Sequence, residues 1–179
     1  MMQNNLDTRP LLVGMFKDKE RAEAAYAELR RRNYPTEEIN VVMSSTTREK
    51  YFTGKNADHK DGLGNKALEG TGVGSAVGGV VGAIAGALAA IGTSIAIPGL
   101  GLVIAGPIAA ALAGAGAGGL AGGLIGALVG LGIPEERAKI YREGIQNGEI
   151  VVSVRPHNET DVRELSDKWH EFHPEAVRV

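Results

Sequence analysis

Short apolar runs alternate with amphipathic stretches at both ends of the chain. The apolar run over 11–16 predicts a β-strand, and the residues after it repeat apolar side chains at helical spacing. Asp18 lies where it can cap this helix, and Asn33-Tyr34-Pro35 ends it. A second strand over 39–43 completes one β-α-β unit. The predicted buried face of the helix comprises Ala22, Ala25, Tyr26 and Leu29.

Residues 134–179 repeat this plan after one additional helix. Pro134, followed by two glutamates, is typical of a helix start, and a strand follows over 150–154. Asn158 is placed to cap a further helix, and the last strand is expected over 176–179. Two β-α-β halves predict an α+β fold of the split ferredoxin-like type, a four-stranded antiparallel sheet with helices on one face. The last helix is expected to bury Val162, Leu165, Trp169 and Phe172.

The middle of the chain has a different composition. Residues 70–134 contain no charged residue and no histidine, yet they hold 20 of the 26 glycines. Glycine recurs every fourth position in two runs, which draws a stripe of small residues along a helix and permits close helix packing. The two runs, which are the predicted helix-packing and oligomerisation sites, are Gly70, Gly74, Gly78, Gly82 and Gly86, and Gly114, Gly118, Gly122, Gly126 and Gly130.

This pattern predicts a glycine-zipper helical hairpin inserted between the two halves. Its helices are expected over 70–91 and 107–131, about 33 and 37 Å long, with an apolar connection over 92–106. Leu120, Leu124 and Leu128 lie about 200° from the glycines and form a separate apolar face. The predicted organisation is a β-α-β half (10–44), a polar linker (45–69), the apolar hairpin (70–133) and the C-terminal half (134–179).

Three environments fit an uncharged hairpin. A transmembrane hairpin fits the lengths of the helices, and the flanking lysines and arginines then predict that both termini are cytoplasmic. A re-entrant hairpin would place the apolar connection inside the bilayer. Alternatively, the hairpins of several copies bury one another in a soluble cytoplasmic cage, ring or filament. The polar residues 1–10 do not resemble a signal peptide, so export is not expected.

The amino-acid composition argues against most classes of catalytic site. The 179 residues include no cysteine, the net charge is −2 and aromatics are 4%, which argues against thiol chemistry and nucleic-acid binding. His170 and His173 have a metal-compatible spacing but lack a further ligand motif, so neither metal nor cofactor is expected. The glycines at 70–74 and 116–119 lack the context of a nucleotide loop, and Arg30-Arg31-Arg32 is a candidate for contact with anionic lipid.

Several stretches resemble the general stress protein 17M family (YflT-type, heat-induced stress protein), in particular its longer bacterial members with a glycine- and alanine-rich middle. The N-terminal resemblance rests on Val13-Gly14-Met15-Phe16, Ala22, Ala25, Leu29 and Ile39-Asn40-Val41-Val42. The C-terminal resemblance rests on Gly132-Ile133-Pro134-Glu135-Glu136, Ala138, Tyr141, Gly144-Ile145, Gly148 and Val151-Val152-Ser153-Val154. The resemblance implies stress-linked expression and offers no catalytic residues.

The sequence therefore predicts a non-enzymatic bacterial stress-response protein. Its expected partners are copies of itself, joined through the glycine stripes, and membrane lipid at the cytoplasmic membrane. A soluble structural assembly is the first alternative. A sensor that binds a small ligand or a lipid, by analogy with other ferredoxin-like domains, is the second.

Overall fold

The computed structural model describes residues 11–52, 84, 86, 95–97, 101–109, 123–126, 128–129, 133–172, 174 and 176–178. The strands are β1 (Leu12–Phe16), β2 (Asn40–Ser44), β3 (Ile95–Ile97), β4 (Leu102–Ala105), β5 (Ile150–Val154) and β6 (Ala176–Arg178). The helices are α1 (Lys19–Arg31), α2 (Ser45–Phe52), α3 (Glu135–Gln146) and α4 (Glu159–Glu171), with a 3₁₀ turn over Thr36–Glu38. Residues 84, 86, 107–109, 123–126 and 128–129 are also helical.

The strands form one antiparallel sheet in the order β3-β4-β2-β5-β1-β6. Strand β5 pairs with both strands of the N-terminal half, so that Ser153 lies opposite Val13 on one side and Asn40 on the other. The two β-α-β units therefore interleave within the sheet, and the fold is α+β. On the outer side of β2, the strand β4 adds Val42↔Ile104 and three further residue pairs.

The predicted helix caps are confirmed. Asp18 Oδ1 accepts a hydrogen bond from the backbone N–H of Arg21 at 2.9 Å, and Asn158 Oδ1 accepts one from Asp161 at 2.9 Å. Both caps satisfy an amide of the first helical turn that has no partner within its own helix. At the other end of α1, Asn33 has a φ of +62°, a left-handed conformation that closes the helix.

Alternate residues of the strands point to two separate cores. In β1, Leu12 and Phe16 contact one core, whereas Val13 and Met15 contact the other. The first core, called here the α1/α4 core, is closed by buried residues of those helices: Ala22, Ala25, Tyr26, Leu29, Leu165 and Trp169. The second, called the α3 core, is closed by Ala138, Tyr141 and Ile145 together with Ile108, Ala109, Leu124, Leu128 and Ile133.

The expectation that helices cover only one face of the sheet is wrong. Helix α3 and helical residues of the apolar segment cover the second face, where Leu124 and Leu128 pack in the same core as Val13 and Val151. The apolar strand residues facing that side, among them Val13, Met15 and Ile104, require burial as much as those on the first face do. The sheet is therefore the middle layer of three.

Two predicted connections contain regular structure. The expected apolar connection over 92–106 includes β3 and β4, which pair with each other and extend the sheet beyond β2. The expected polar linker over 45–69 begins with α2, where the Ser44 hydroxyl accepts a hydrogen bond from the N–H of Thr47 at 3.0 Å. Residues 53–69 lie outside the described part of the chain.

The predicted helical hairpin also differs from the structure at the described residues. Ile84 is fully buried in the α1/α4 core, whereas Leu124 and Leu128 are buried in the α3 core on the opposite face of the sheet. In addition, Gly123 has a φ of +58°, a left-handed conformation at a position where the expected helix requires a right-handed one. The sheet, extended by β4, lies between the two helical regions.

Candidate assembly surface

The helical residues 123–126 and 128–129 have one buried and one exposed side. Leu124 is 3% exposed and Leu128 is 2% exposed, because both pack on the sheet in the α3 core. Gly126 is exposed, and Val129 is one of two large hydrophobic residues that the described chain leaves exposed, at 42%. The leucine face predicted from spacing is therefore the face that binds the sheet, and a glycine faces outward.

Both glycines of the predicted stripes that the structure describes have open space around them. A Cβ built on Gly86 or on Gly126 would meet no neighbouring atom within 4 Å. Neither glycine is therefore needed for close packing against the described part of its own chain. The other members of the two stripes, which lie outside the described residues, are Gly70, Gly74, Gly78, Gly82, Gly114, Gly118, Gly122 and Gly130.

The two glycines belong to different layers of the molecule. Gly86 lies two residues after Ile84, which is buried in the α1/α4 core, and Gly126 lies between Leu124 and Leu128 in the α3 core. The helical segments that carry them thus cover opposite faces of the sheet. We call the exposed sides of these two segments, represented by Gly86, Gly126 and Val129, the assembly surface.

A polar cluster joins the end of α1 to the start of α4. The Tyr34 hydroxyl donates to Asp161 Oδ2 at 2.8 Å and accepts from the backbone N–H of His157 at 3.1 Å. The His157 ring stacks on that of Tyr34, with centroids 4.2 Å apart, and its Nε2 lies 3.1 Å from Glu38 Oε2. Burial raises the pKa of Tyr34 to about 12. Because the phenol stays protonated and its hydrogen-bond partners are fixed, we interpret this cluster as a structural contact between α1 and α4.

The arginine run at the end of α1 is engaged within the chain. Arg30 Nη1 donates to the carbonyl oxygen of Tyr34 at 2.7 Å, and Arg31 pairs with Glu28. Arg32 donates to Glu28 Oε1 at 2.8 Å and to Glu164 Oε2 at 2.7 Å. Arg32 therefore contributes to the structural contact between α1 and α4, and contact of the run with anionic lipid stays a prediction.

The remaining candidate groups have structural surroundings. His170 Nδ1 lies 2.6 Å from the carbonyl oxygen of Ser166, one turn earlier in α4. His59 and His173 lie outside the described residues, and the described chain contains no group of three or more potential metal ligands. Thr47 Oγ1 donates to the carbonyl oxygen of Gly148 at 3.2 Å, which holds α2 against the turn after α3.

Sequence reasoning missed the role of one buried polar residue, Asn40. Its side chain is 3% exposed on the face of β2 that contacts the α3 core, and its Oδ1 accepts a hydrogen bond from the N–H of Ile108 at 2.8 Å. The available signal was an amide side chain in the otherwise apolar strand Ile39–Met43. Such a residue needs a buried partner, because an unpaired buried amide is costly.

Within the residues that the structure covers, no helix is both long enough and apolar enough to cross a membrane. Searches with models of known families, among functionally characterised proteins and among solved structures find no match to this chain.

Proposed function

We propose that this chain is a non-enzymatic protein that assembles with copies of itself through the assembly surface. The observation that carries the proposal is the outward position of Gly86 and Gly126, on segments whose neighbouring residues Ile84, Leu124 and Leu128 are buried. Because residues 70–134 include no charged side chain, the outward side of these segments has no charged group to favour exposure to water.

Glycine in these positions has a cost that assembly would offset. A glycine in a helix is about 1 kcal/mol less favourable than alanine, and neither described glycine is required by packing within the described chain. A surface without side chains lets a second helix approach closely and gain dispersion contacts along its backbone. Repetition of glycine at every fourth position is the arrangement that keeps this approach possible over several turns.

The placement of the segments bears on the form of the assembly. Since Gly86 and Gly126 belong to opposite layers, one copy offers two separate surfaces and can contact two neighbours at once. Repeated contacts of this kind give a ring if the rotation closes and a filament if it does not. Such an assembly in water is the form we favour, because Leu124 and Leu128 are committed to the sheet of their own chain.

The membrane version of the proposal requires a rearrangement. For the segment after Pro107 to enter a bilayer, Ile108, Leu124 and Leu128 would exchange their contacts with the sheet for contacts with lipid. A sensor that binds its ligand on an open sheet face is less favoured, because packed side chains from helices lie over both faces in the described structure. We also propose that the domain is ferredoxin-like, which the strand order β2-β5-β1-β6 supports. Membership of the stress protein family is likewise part of this proposal.

Fractionation of cells without detergent tests the proposal and separates its two forms. We expect the protein in the supernatant, where light scattering should measure a particle larger than one 18.7 kDa chain. The membranes are washed separately with carbonate. Retention in the washed membranes with release by detergent only would favour the membrane form. A supernatant protein with the mass of one chain would contradict self-assembly.

A further inference from the structure

The apolar segment is connected to the sheet by a polar contact from a distant part of the sequence. The helical residues that follow Pro107 begin beside β2, and the N–H of Ile108 is in the first helical turn. Amides of the first turn have no acceptor within their own helix, and the residue before Pro107 is a glycine, which has no side chain to offer one. Asn40 Oδ1, 68 positions earlier, supplies that acceptor at 2.8 Å.

The amide nitrogen of the Asn40 side chain also has a hydrogen-bond partner. Asn40 Nδ2 donates to the carbonyl oxygen of Ser153 at 3.4 Å, in the neighbouring strand β5. The position thus needs an acceptor toward Ile108 and a donor toward Ser153, and an amide provides both whereas a carboxylate provides only acceptors. Asn40 is 3% exposed, so water cannot replace either partner without opening this core.

Gly106 brings the segment close enough for this contact. Its φ is +97°, a conformation that side chains rarely adopt, and a Cβ there would overlap the carbonyl oxygen of Ile39 and lie 2.9 Å from the Cα of Asn40. Two and three residues after it, Ile108 is 2% exposed and Ala109 is fully buried. The segment therefore turns against the backbone of β2 and is capped at the same place.

We propose that Asn40 is a positioning residue, a tertiary N-cap that locks the apolar segment onto the sheet. With the cap formed, Ile108 and Ala109 are held in the α3 core at the start of the segment. Without it, a buried amide loses its acceptor and the start of the segment separates from β2. The neighbouring Ser153 hydroxyl is buried without a hydrogen-bond partner in the described structure, so it contributes nothing to this lock.

Hydrogen exchange of the full-length chain tests the proposal. In Asn40→Ala we expect the amides of Ile108 and Ala109 to exchange at least about tenfold faster, with amides of β1 and α4 unchanged. Asn40→Asp keeps the acceptor toward Ile108 but loses the donor toward Ser153, so we expect Ile108 to exchange faster than in the wild type and more slowly than in Asn40→Ala. Ser153→Ala is the matched control at the adjacent position, and we expect no change there.

Three results would overturn the proposal. The first is an Asn40→Ala protein in which Ile108 remains as protected as in the wild type. The second is equal acceleration in Asn40→Ala and Asn40→Asp, and the third is acceleration spread evenly over β1 and α4. If Asn40→Ala does not fold, NMR of the wild-type protein provides the test. We expect a scalar coupling across the hydrogen bond, between the Ile108 nitrogen and the side-chain carbonyl carbon of Asn40. Absence of this coupling would overturn the proposed cap. None of these readouts depends on self-assembly.

Discussion

The indole ring of Trp169 lies directly against the backbone of Gly14. A Cβ built on Gly14 would be 2.8 Å from the Cε3 atom of Trp169 and 2.9 Å from the ring of Phe16. Trp169 and Phe16 are both fully buried and meet edge to face, with ring centroids 5.8 Å apart. The gap left by the missing side chain is thus what allows α4 to approach β1 so closely.

Gly14→Ala is therefore expected to overpack the α1/α4 core and lower the free energy of unfolding by about 1–3 kcal/mol. Denaturant unfolding followed by the fluorescence of Trp169, the single tryptophan, measures the change. Gly126→Ala is the matched control for the unassembled chain, because that helical glycine has open space around it and alanine should there be neutral or stabilising by up to about 1 kcal/mol. Equal stability of Gly14→Ala and wild type would show that the ring does not lie against this backbone.

The docking of the apolar segment predicts unequal effects at two adjacent positions. Leu128→Ala removes a side chain that is 2% exposed in the α3 core and is expected to cost about 2–5 kcal/mol of unfolding free energy. Val129→Ala, at a position that is 42% exposed, is expected to change the stability of the unassembled chain by no more than about 0.5 kcal/mol. Thermal or denaturant unfolding by circular dichroism provides both values. Similar costs for the two variants would argue against packing of the leucine face on the sheet.

The buried phenol of Tyr34 predicts a loss of stability at high pH. Its pKa is raised from 10.0 in the unfolded chain to about 12, mainly by burial, so the folded state holds its proton more tightly. Stability from this group is complete below pH 10 and falls as the pH rises from 10 toward 12. Burial also raises the pKa of Tyr26, which adds to the same decline.

Tyr34→Phe separates the contribution of the Tyr34 hydrogen bonds to stability from the contribution of its ionisation. At neutral pH the variant loses the hydrogen bond to Asp161 and leaves the N–H of His157 without its acceptor, at an expected cost of about 1–3 kcal/mol. Because phenylalanine does not ionise, stability should fall less steeply between pH 10 and 12 in the variant than in the wild type. Unfolding curves at a series of pH values measure this slope, and parallel curves for the two proteins would contradict the account.

The features that the sequence predicted well are local ones. The caps at Asp18 and Asn158 act on amides three residues away, and the strands 12–16 and 150–154 lie in mainly apolar runs that end at a basic residue. Spacing alone also separated the leucines at 124 and 128 from the glycine at 126. Signals of this kind depend on a few neighbouring residues and are complete within the sequence.

The missed features depend on distant partners. Helix α2 is held by Ser44, by Gly148 and by the bond from the N–H of Ser45 to the carbonyl oxygen of Gly101 at 2.7 Å. Strands β3 and β4 lie in an uncharged stretch in which helix and strand patterns look alike, although the β-branched residues of β4 were a weak signal. Periodicity shows which side of a helix is apolar, but it does not show what covers that side.

Sedimentation velocity of the wild type and four variants tests most directly whether the outward glycine surfaces join copies of the chain. Replacement of Gly86 or Gly126 by leucine places a bulky side chain where a Cβ meets open space, so each folded monomer should be preserved while close approach of a second copy is blocked. Gln146→Leu, at an exposed position of α3, is the control for added hydrophobic surface. We predict a wild-type assembly, an unchanged Gln146→Leu assembly, smaller species for each single glycine variant and an 18.7 kDa monomer for the double variant. A wild-type protein that sediments as one chain, or a double variant that sediments as the wild type does, would contradict the claim.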